Sequence, residues 1–515
     1  MASTLQSKIG KAAVHFKMRE ESVVANDKAS IDDLHHVTSI ANGQGEQAFI
    51  ADATSDSKLR LKIDLYILPM VTIIYLLCFI DRANIGNARI AGLEADLNMK
   101  GYDFNICLSV FYISYIIFEI PGNILCKIMG PGWFIPACCL GFGLCTICTA
   151  FVQSFAALCG LRFVLGIFEA AMLPATVYYL SRWYKRDELT FRLSFFIISA
   201  SLSGAFGGLL ASAILSIGRM GSITSWKMIF AIEGIVTVGF ALLGFAVMTD
   251  RAETAIWLSN AEKEQIAARI KAERIGTTEV LDKFDRKKFK RGIFNPVVLA
   301  TSLTLCFNNI TVHGLSFFLP TIVKTIFPDR TVRDQQLLTV PPYALGTITC
   351  LIICYLSWKM DRRTIFLILC PPFSIIGYSM FLASTTAHVR YGATFLPVVG
   401  IFAVGALTNS HVSANVVSDT ARSSAVATNA MFGNIGGLVS TWAFLPFDGP
   451  LYPIGNALNL GVQSGIFAVA LGMYFWINRN NKARAQRDAE VELAGKTLLE
   501  IQDLDWKHPG FRWHN

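Results

Sequence analysis

The feature that most constrains this chain is a series of apolar blocks, each about twenty residues long, recurring from near Leu61 to near Asn478. Blocks such as Phe134 to Val152 and Phe230 to Met248 match the roughly 30 Å hydrocarbon core of a bilayer at about 1.5 Å per helical residue. Composition agrees: 53% of the 515 residues are hydrophobic and 16% are charged, against roughly 25% charged in an average soluble domain. Bounded by charges and turn residues, the blocks predict spans near 62–92, 104–126, 134–152, 156–180, 190–217 and 226–248, then near 293–323, 336–358, 364–384, 390–411, 421–446 and 459–478. The expected fold is an all-α membrane protein with twelve transmembrane helices in two six-helix halves. Its segments are a polar, disordered N-terminal tail (1–61), a first half (62–248), a central loop (249–292), a second half (293–478) and a C-terminal tail (479–515).

Orientation follows from charge. Thirty-five of the 45 Lys and Arg fall in segments sharing one side if both termini lie there, nine fall on the other side, and Arg162 lies inside the fourth span. The rule that basic loops stay inside makes the first side, with both termini, cytoplasmic. The central loop carries Ser259 followed by Glu262, a capping box that predicts a surface helix over Glu262 to Arg274. The basic run Arg286 to Arg291 suits anionic lipid headgroups rather than nucleic acid. No apolar leader precedes the first span, so no cleavable signal peptide is expected.

Enzyme chemistry has little to stand on. The eight His form no grouping with a nucleophile or metal ligands, and no Gly-x-x-x-x-Gly-Lys-Ser/Thr loop for ATP occurs. Most of the twelve Cys lie inside apolar runs without metal-ligand spacing, so no cofactor and no metal are expected. Lys127 after the second span matches Lys359 after the eighth, and Gly207 in the fifth matches Gly436 in the eleventh at nearly the same offset. The two halves therefore read as a repeat.

Ionisable residues inside spans cost on the order of 3 kcal/mol each, so those retained are functional candidates. Arg162 and Glu169 stand two turns apart on one face of the fourth span, and Asp81 and Arg82 follow the apolar run of the first, with Asn84 and Asn87 beyond them. Arginine grips a carboxylate bidentately and keeps its proton, whereas a nearby Asp or Glu can load and release one. This set predicts a cavity that couples protons to an organic anion. Simpler alternatives are a helix-end role for Asp81 and Arg82 and a plain strut between Arg162 and Glu169. Asn308, Asn309 and His313 in the seventh span are the candidates for the second half's side of the site. Small residues Gly204, Gly208 and Ser212, with Gly433 and Gly437, read as packing faces, and Glu119 and Glu233 as structural joints.

The motifs are specific enough to name a family. Asp81-Arg-Ala-Asn-Ile-Gly-Asn-Ala88, Glu119-Ile-Pro-Gly-Asn123, Arg162-Phe-Val-Leu-Gly-Ile-Phe-Glu-Ala-Ala171 with Tyr178 to Glu188, and Trp226 through Gly234 together resemble the anion:cation symporter branch of the major facilitator superfamily. Within that branch, the chain is most similar to the fungal allantoate, nicotinate and pantothenate permease group. The resemblance implies that Arg82 and Arg162 contact an anionic substrate and that Asp81 and Glu169 are linked to proton coupling. It also implies a gate in Lys359-Met-Asp361-Arg362-Arg363, with Lys127 as the remnant of the equivalent loop. The chain departs from the family at His313, where relatives commonly carry Tyr, and at Ser418 and Ala421.

The function expected is therefore proton-coupled symport of a small organic anion such as a carboxylate vitamin, ureide or sugar acid. The carrier is expected to be a monomer in the plasma membrane, with the bilayer and protons as its other partners. The alternative on the same fold is export of a biosynthetic pathway product.

Overall fold

The computed structural model describes residues 28–184, 186–220, 223–266, 286–417, 419–486, 492–493 and 504–515. Residues up to Leu65 form one compact unit and Tyr66–Asn515 a second. In the first, the backbone is helical from Lys28, where the sequence led us to expect a disordered tail. Residues 28–61 contain no Pro, the residue that most strongly breaks a helix.

Helix α1 is Lys28–Ala88; it passes into a π-turn at Arg89–Leu93, where Gly92 takes φ 108°. Then follow α2 (Asp103–Met129), α3 (Pro131–Thr149), α4 (Phe155–Ala170), α5 (Met172–Ser181), α6 (Arg186–Ser216) and α7 (Trp226–Val247). Before α7 the chain makes a two-residue antiparallel ladder, Arg219–Met220 with Ile223–Thr224, a small departure from an all-α chain. After the central segment come α8 (Arg286–Ile293), α9 (Pro296–Ile326), α10 (Val332–Leu337), α11 (Val340–Met360), α12 (Arg363–Leu369), α13 (Pro371–Ala383), α14 (Ala387–Ala414), α15 (Asp419–Ser440) and α16 (Pro453–Ala485).

Among the described residues, eleven helices are long and apolar enough to cross a membrane. The segment expected as an eleventh span, 421–446, is α15. It is 22 residues long, but Ser423, Ser424, Thr428, Asn429 and Asn434 make it more polar than the others. It ends at Ser440, short of the expected boundary, and turns lead from there to Pro446. The predicted capping box is present: Ser259 N–H donates to Glu262 Oε2 at 2.8 Å, and Glu262 N–H to Ser259 Oγ at 3.3 Å. The rest of that predicted helix, past residue 266, lies outside the described residues.

Within 66–250, α3 packs on α7 and α2 on α4; within 296–485, α9 packs on α15 and α14 on α11 and α13. The two groups meet along α2 against α15 and α6 against α11. Several hydrogen bonds between them gather at the end of the bundle bearing residues 98–102 and 441–452. There Asn105 donates to the carbonyl of Thr441 at 2.6 Å, Ser109 and Thr441 hydroxyls meet at 2.8 Å, Trp442 Nε1 donates to Ser109 at 2.9 Å, and Gln336 donates to the Asn87 carbonyl at 3.3 Å. Nearer the middle lie Asn434 to Glu119 at 2.7 Å and Thr347 to Ser201 at 3.1 Å. Closure needs small residues. A Cβ at Gly86 would stand 2.5 Å from the Phe317 carbonyl oxygen, and one at Gly204 would strike the Tyr343 ring.

At the opposite end, residues 504–515 are stitched to the second group of helices. Trp513 is buried against Trp476, Trp506 and Phe511, and its indole donates to Asn480 at 2.9 Å. Asn481 and Trp513 exchange two hydrogen bonds of 2.9 Å, His514 N–H donates to Asn415 at 2.9 Å, and Arg363 N–H donates to the Asn515 carbonyl at 2.7 Å. Buried His411 extends this network inward to Thr301 at 3.0 Å and Thr364 at 3.3 Å.

Candidate functional site

Arg82 sits on α1 one turn beyond Cys78, which places both side chains on the face that meets α4. Its guanidinium donates from Nε at 3.1 Å and from Nη2 at 2.8 Å to one oxygen, Oε2 of Glu169, and the Cys78 thiol donates to the same oxygen at 3.4 Å. The pair is buried, with Arg82 9% and Glu169 0% exposed at the side chain. The rings of Phe79, Phe111 and Tyr115 surround the guanidinium at 5.0, 5.1 and 5.1 Å, which stabilises a cation where water is scarce. Glu169 Oε1, by contrast, has no hydrogen-bond partner among the described residues. That oxygen is open to a proton without any hydrogen bond of its own having to break first.

Arg162, on α4 with Glu169, is 4% exposed, and its guanidinium lies 6.0 Å from the centre of the Phe230 ring. It forms no salt bridge among the described residues. The strut between Arg162 and Glu169 is therefore replaced by a pair between α1 and α4, leaving the Arg162 cation without a fixed counter-ion. Asp81 points to the other side of α1, where its Oδ2 faces the Thr237 hydroxyl at 3.5 Å and its Oδ1 has no partner. Asn84 is wholly buried with both amide atoms unpartnered among the described residues.

The second group of helices contributes neutral polar groups. His313 on α9 lies edge-on to Tyr112 at 5.6 Å and stacks on Phe317 at 6.3 Å. Asn309 donates to the Gly433 carbonyl at 3.0 Å, while Asn308 turns away to the Ile401 carbonyl at 2.9 Å. Sequence reasoning missed Tyr112. It touches His313 and Phe317, and a Cβ at Gly437 would strike its ring, so it joins α2 to both α9 and α15. Its signal was a tyrosine repeated at Tyr115 inside an otherwise apolar run.

The expected gate residues stand apart from this cluster. Lys127, Asp361 and Arg362 are all exposed. Asp361 lies 3.5 Å from Arg363 in a left-handed cap that ends α11. The tighter ion pair at that end, which sequence reasoning also missed, is Arg182 with Asp250 at 2.9 Å. Asp250 additionally accepts from Gly132 N–H at 3.4 Å at the start of α3, where an anion suits the helix N-terminus.

A fold of packed spans with a paired and an unpaired arginine beside carboxyl groups at its centre defines a membrane transporter rather than an enzyme. The profile of the Major Facilitator Superfamily matches residues 71–441, and the chain belongs to that family as a multi-pass integral membrane protein. An uncharacterized transporter of Schizosaccharomyces pombe is 31% identical over 469 residues, covering 91% of this chain and 94% of its own length. The high-affinity nicotinic acid transporter of Saccharomyces cerevisiae is 31% identical over 459 residues, covering 89% and 85%. These fungal relatives agree with the permease group that the motifs resemble. Among solved structures, a bacterial homolog of the human lysosomal transporter Spinster superposes with a TM-score of 0.58 at 15% identity, covering 80% of this chain and 96% of the other.

Proposed function

We propose that this carrier couples protons to the movement of a small organic anion, taking a carboxylate on Arg82 and Arg162 and a proton on Glu169 or Asp81. The observation that carries this reading is the closed pair: Arg82 gives two N–H bonds to Glu169 Oε2 while Oε1 is free. A proton on Oε1 weakens the attraction between the two side chains, and the guanidinium then has a fork to offer an arriving carboxylate. Arg162, lacking a counter-ion, supplies a second cation. Proton and anion then favour each other's binding, as symport requires.

In this reading twelve helices span the membrane, with α15 as the polar one, and both termini are cytoplasmic. The hydrogen-bonded end at residues 98–102 and 441–452 then faces outward. Carboxylate vitamins, including nicotinate, together with ureides and sugar acids are the substrate class. Residence in the plasma membrane as a monomer completes the proposal. The test is uptake of a labelled panel of such acids by cells expressing the chain or its Glu169→Gln variant, at acidic and mildly alkaline pH. Uptake that rises in acid and fails in the variant is expected. No uptake at either pH, with normal surface expression, overturns import and leaves export of a pathway product as the better account.

A further inference from the structure

Glu233 has no place in the scheme above. It lies in the middle of α7, is 3% exposed, and neither carboxyl oxygen has a hydrogen-bond partner among the described residues. Glu119, the other acid outside the scheme, by contrast accepts from Asn434 at 2.7 Å. A carboxylate stripped of water and given no donor costs several kcal/mol, so such a group survives as the neutral acid.

Its position on the helix gives it company. Phe230, Glu233 and Thr237 follow one another at three- and four-residue spacing, so they share one face of α7. At one end of that stripe, Arg162 from α4 lies over the Phe230 ring at 6.0 Å. At the other, Thr237 faces Asp81 Oδ2 from α1 at 3.5 Å. Thr237 stands one turn from Glu233 on α7, which brings Asp81 to the same stripe, and the Asp81 Oδ1 is also unpartnered. From α3, the Cys139 thiol donates to the Thr237 carbonyl at 3.7 Å, and Gly143 and Ile147 fill the space beside Gly234. The titratable and charged groups facing this stripe are thus Asp81 and Cys139 at Thr237 and Arg162 at Phe230.

We propose that Glu233 is a third proton-bearing carboxyl of the carrier: it holds a proton while the Arg82–Glu169 pair is closed and exchanges that proton with Asp81. In the exchange, the O–H bond of Glu233 breaks as one forms on an Asp81 oxygen, and a single negative charge passes from Asp81 to Glu233. The acid site then extends from the face of α1 toward α4 to its far side against α7. This inference rests on the proton-coupled reading, and its test separates the two.

Dicyclohexylcarbodiimide, an apolar reagent, adds to protonated carboxyls buried in membrane proteins, and mass spectrometry locates the adduct. Purified full-length protein in lipid vesicles, with no substrate present, is expected to be labelled at Glu233 at neutral pH, with less labelling as the pH rises. No adduct at Glu233 while Glu169 or Asp81 is labelled overturns the proposal and leaves proton-coupled symport standing. Transport supplies the second measurement, with labelled nicotinate as the probe. Glu233→Gln is expected to keep exchange of nicotinate across vesicles at equal pH within about twofold but to lose at least tenfold of the accumulation driven by a pH gradient. Glu233→Asp should restore part of that accumulation. Unchanged gradient-driven accumulation in Glu233→Gln overturns the proposal. If exchange is lost together with accumulation in Glu233→Gln and Glu233→Asp alike, the role is structural and the proposal also falls.

Discussion

The interiors of the two halves differ in kind. Between Tyr66 and Val247, the buried middle holds two guanidinium groups, Arg82 and Arg162, and three carboxyls, Asp81, Glu169 and Glu233. The corresponding buried middle of the second half holds amides, hydroxyls and imidazoles: Asn308, Thr311, His313, Asn429, Asn459 and Gln463. Thr311 and Gln463 bond to each other at 2.9 Å, and Asn429 to Asn409 at 2.9 Å. Charged groups are buried in the first half, and uncharged amides and hydroxyls predominate in the buried middle of the second.

This asymmetry is testable from its strongest consequence downward. Alanine at Arg82 or Arg162 should lower uptake on the order of 100-fold or more at unchanged surface expression, because a buried charge pairing with the substrate is lost or stranded. Equal losses from Asn309→Ala would break the comparison. Next in size, Trp513→Ala should destabilise the protein by about 3 kcal/mol, as for other buried tryptophans. Thermal unfolding in detergent is the readout, and the pH dependence of uptake should stay as in wild type, since the residue anchors only the second half. Gly86→Ala should cost about 2 kcal/mol in the closed state, from a methyl forced against the Phe317 carbonyl. Labelling of a cysteine introduced at Asn105 from the side facing the 98–102 turn should then increase. Asn309→Ala should cost about 1 kcal/mol, the worth of one hydrogen bond, read as a change of several-fold in KM without a shift in the pH profile. A shifted pH profile in that variant would place ionic chemistry in both halves.

How much of this was legible in the sequence follows the same division. Charges inside apolar runs are conspicuous, so Asp81, Arg82, Arg162 and Glu169 could be singled out from spacing alone. Their pairing could not. Helical periodicity puts Arg162 and Glu169 on one face, but whether Glu169 meets Arg162 or Arg82 depends on how α1 packs against α4, which no single helix encodes. In the second half, polar residues that bond to backbone carbonyls look the same in sequence as those that face a cavity. Asn308 and Asn309 are adjacent yet turn to Ile401 and Gly433 respectively. Helix α15 fell short in hydropathy for a related reason: buried against α9, its Ser, Thr and Asn find partners in protein rather than lipid. The stitched terminal segment was hidden because its anchors, Trp506, Phe511 and Trp513, are too few and too close together to form a periodic pattern.

The Arg82–Glu169 pair also bears on the half of the transport cycle in which nothing is carried. An unaccompanied guanidinium would have to cross a dry, closed intermediate as a bare cation, at a desolvation cost of several kcal/mol. With Glu169 bonded through Oε2, Arg82 has its own counter-ion when the site is empty, and of the two site arginines only Arg162 is unpaired among the described residues. In the proposed symport, a cargo carboxylate arriving at Arg82 would compete with a ligand already bonded to it. On that reading, a carrier that resets quickly is also one with a weaker grip on its cargo.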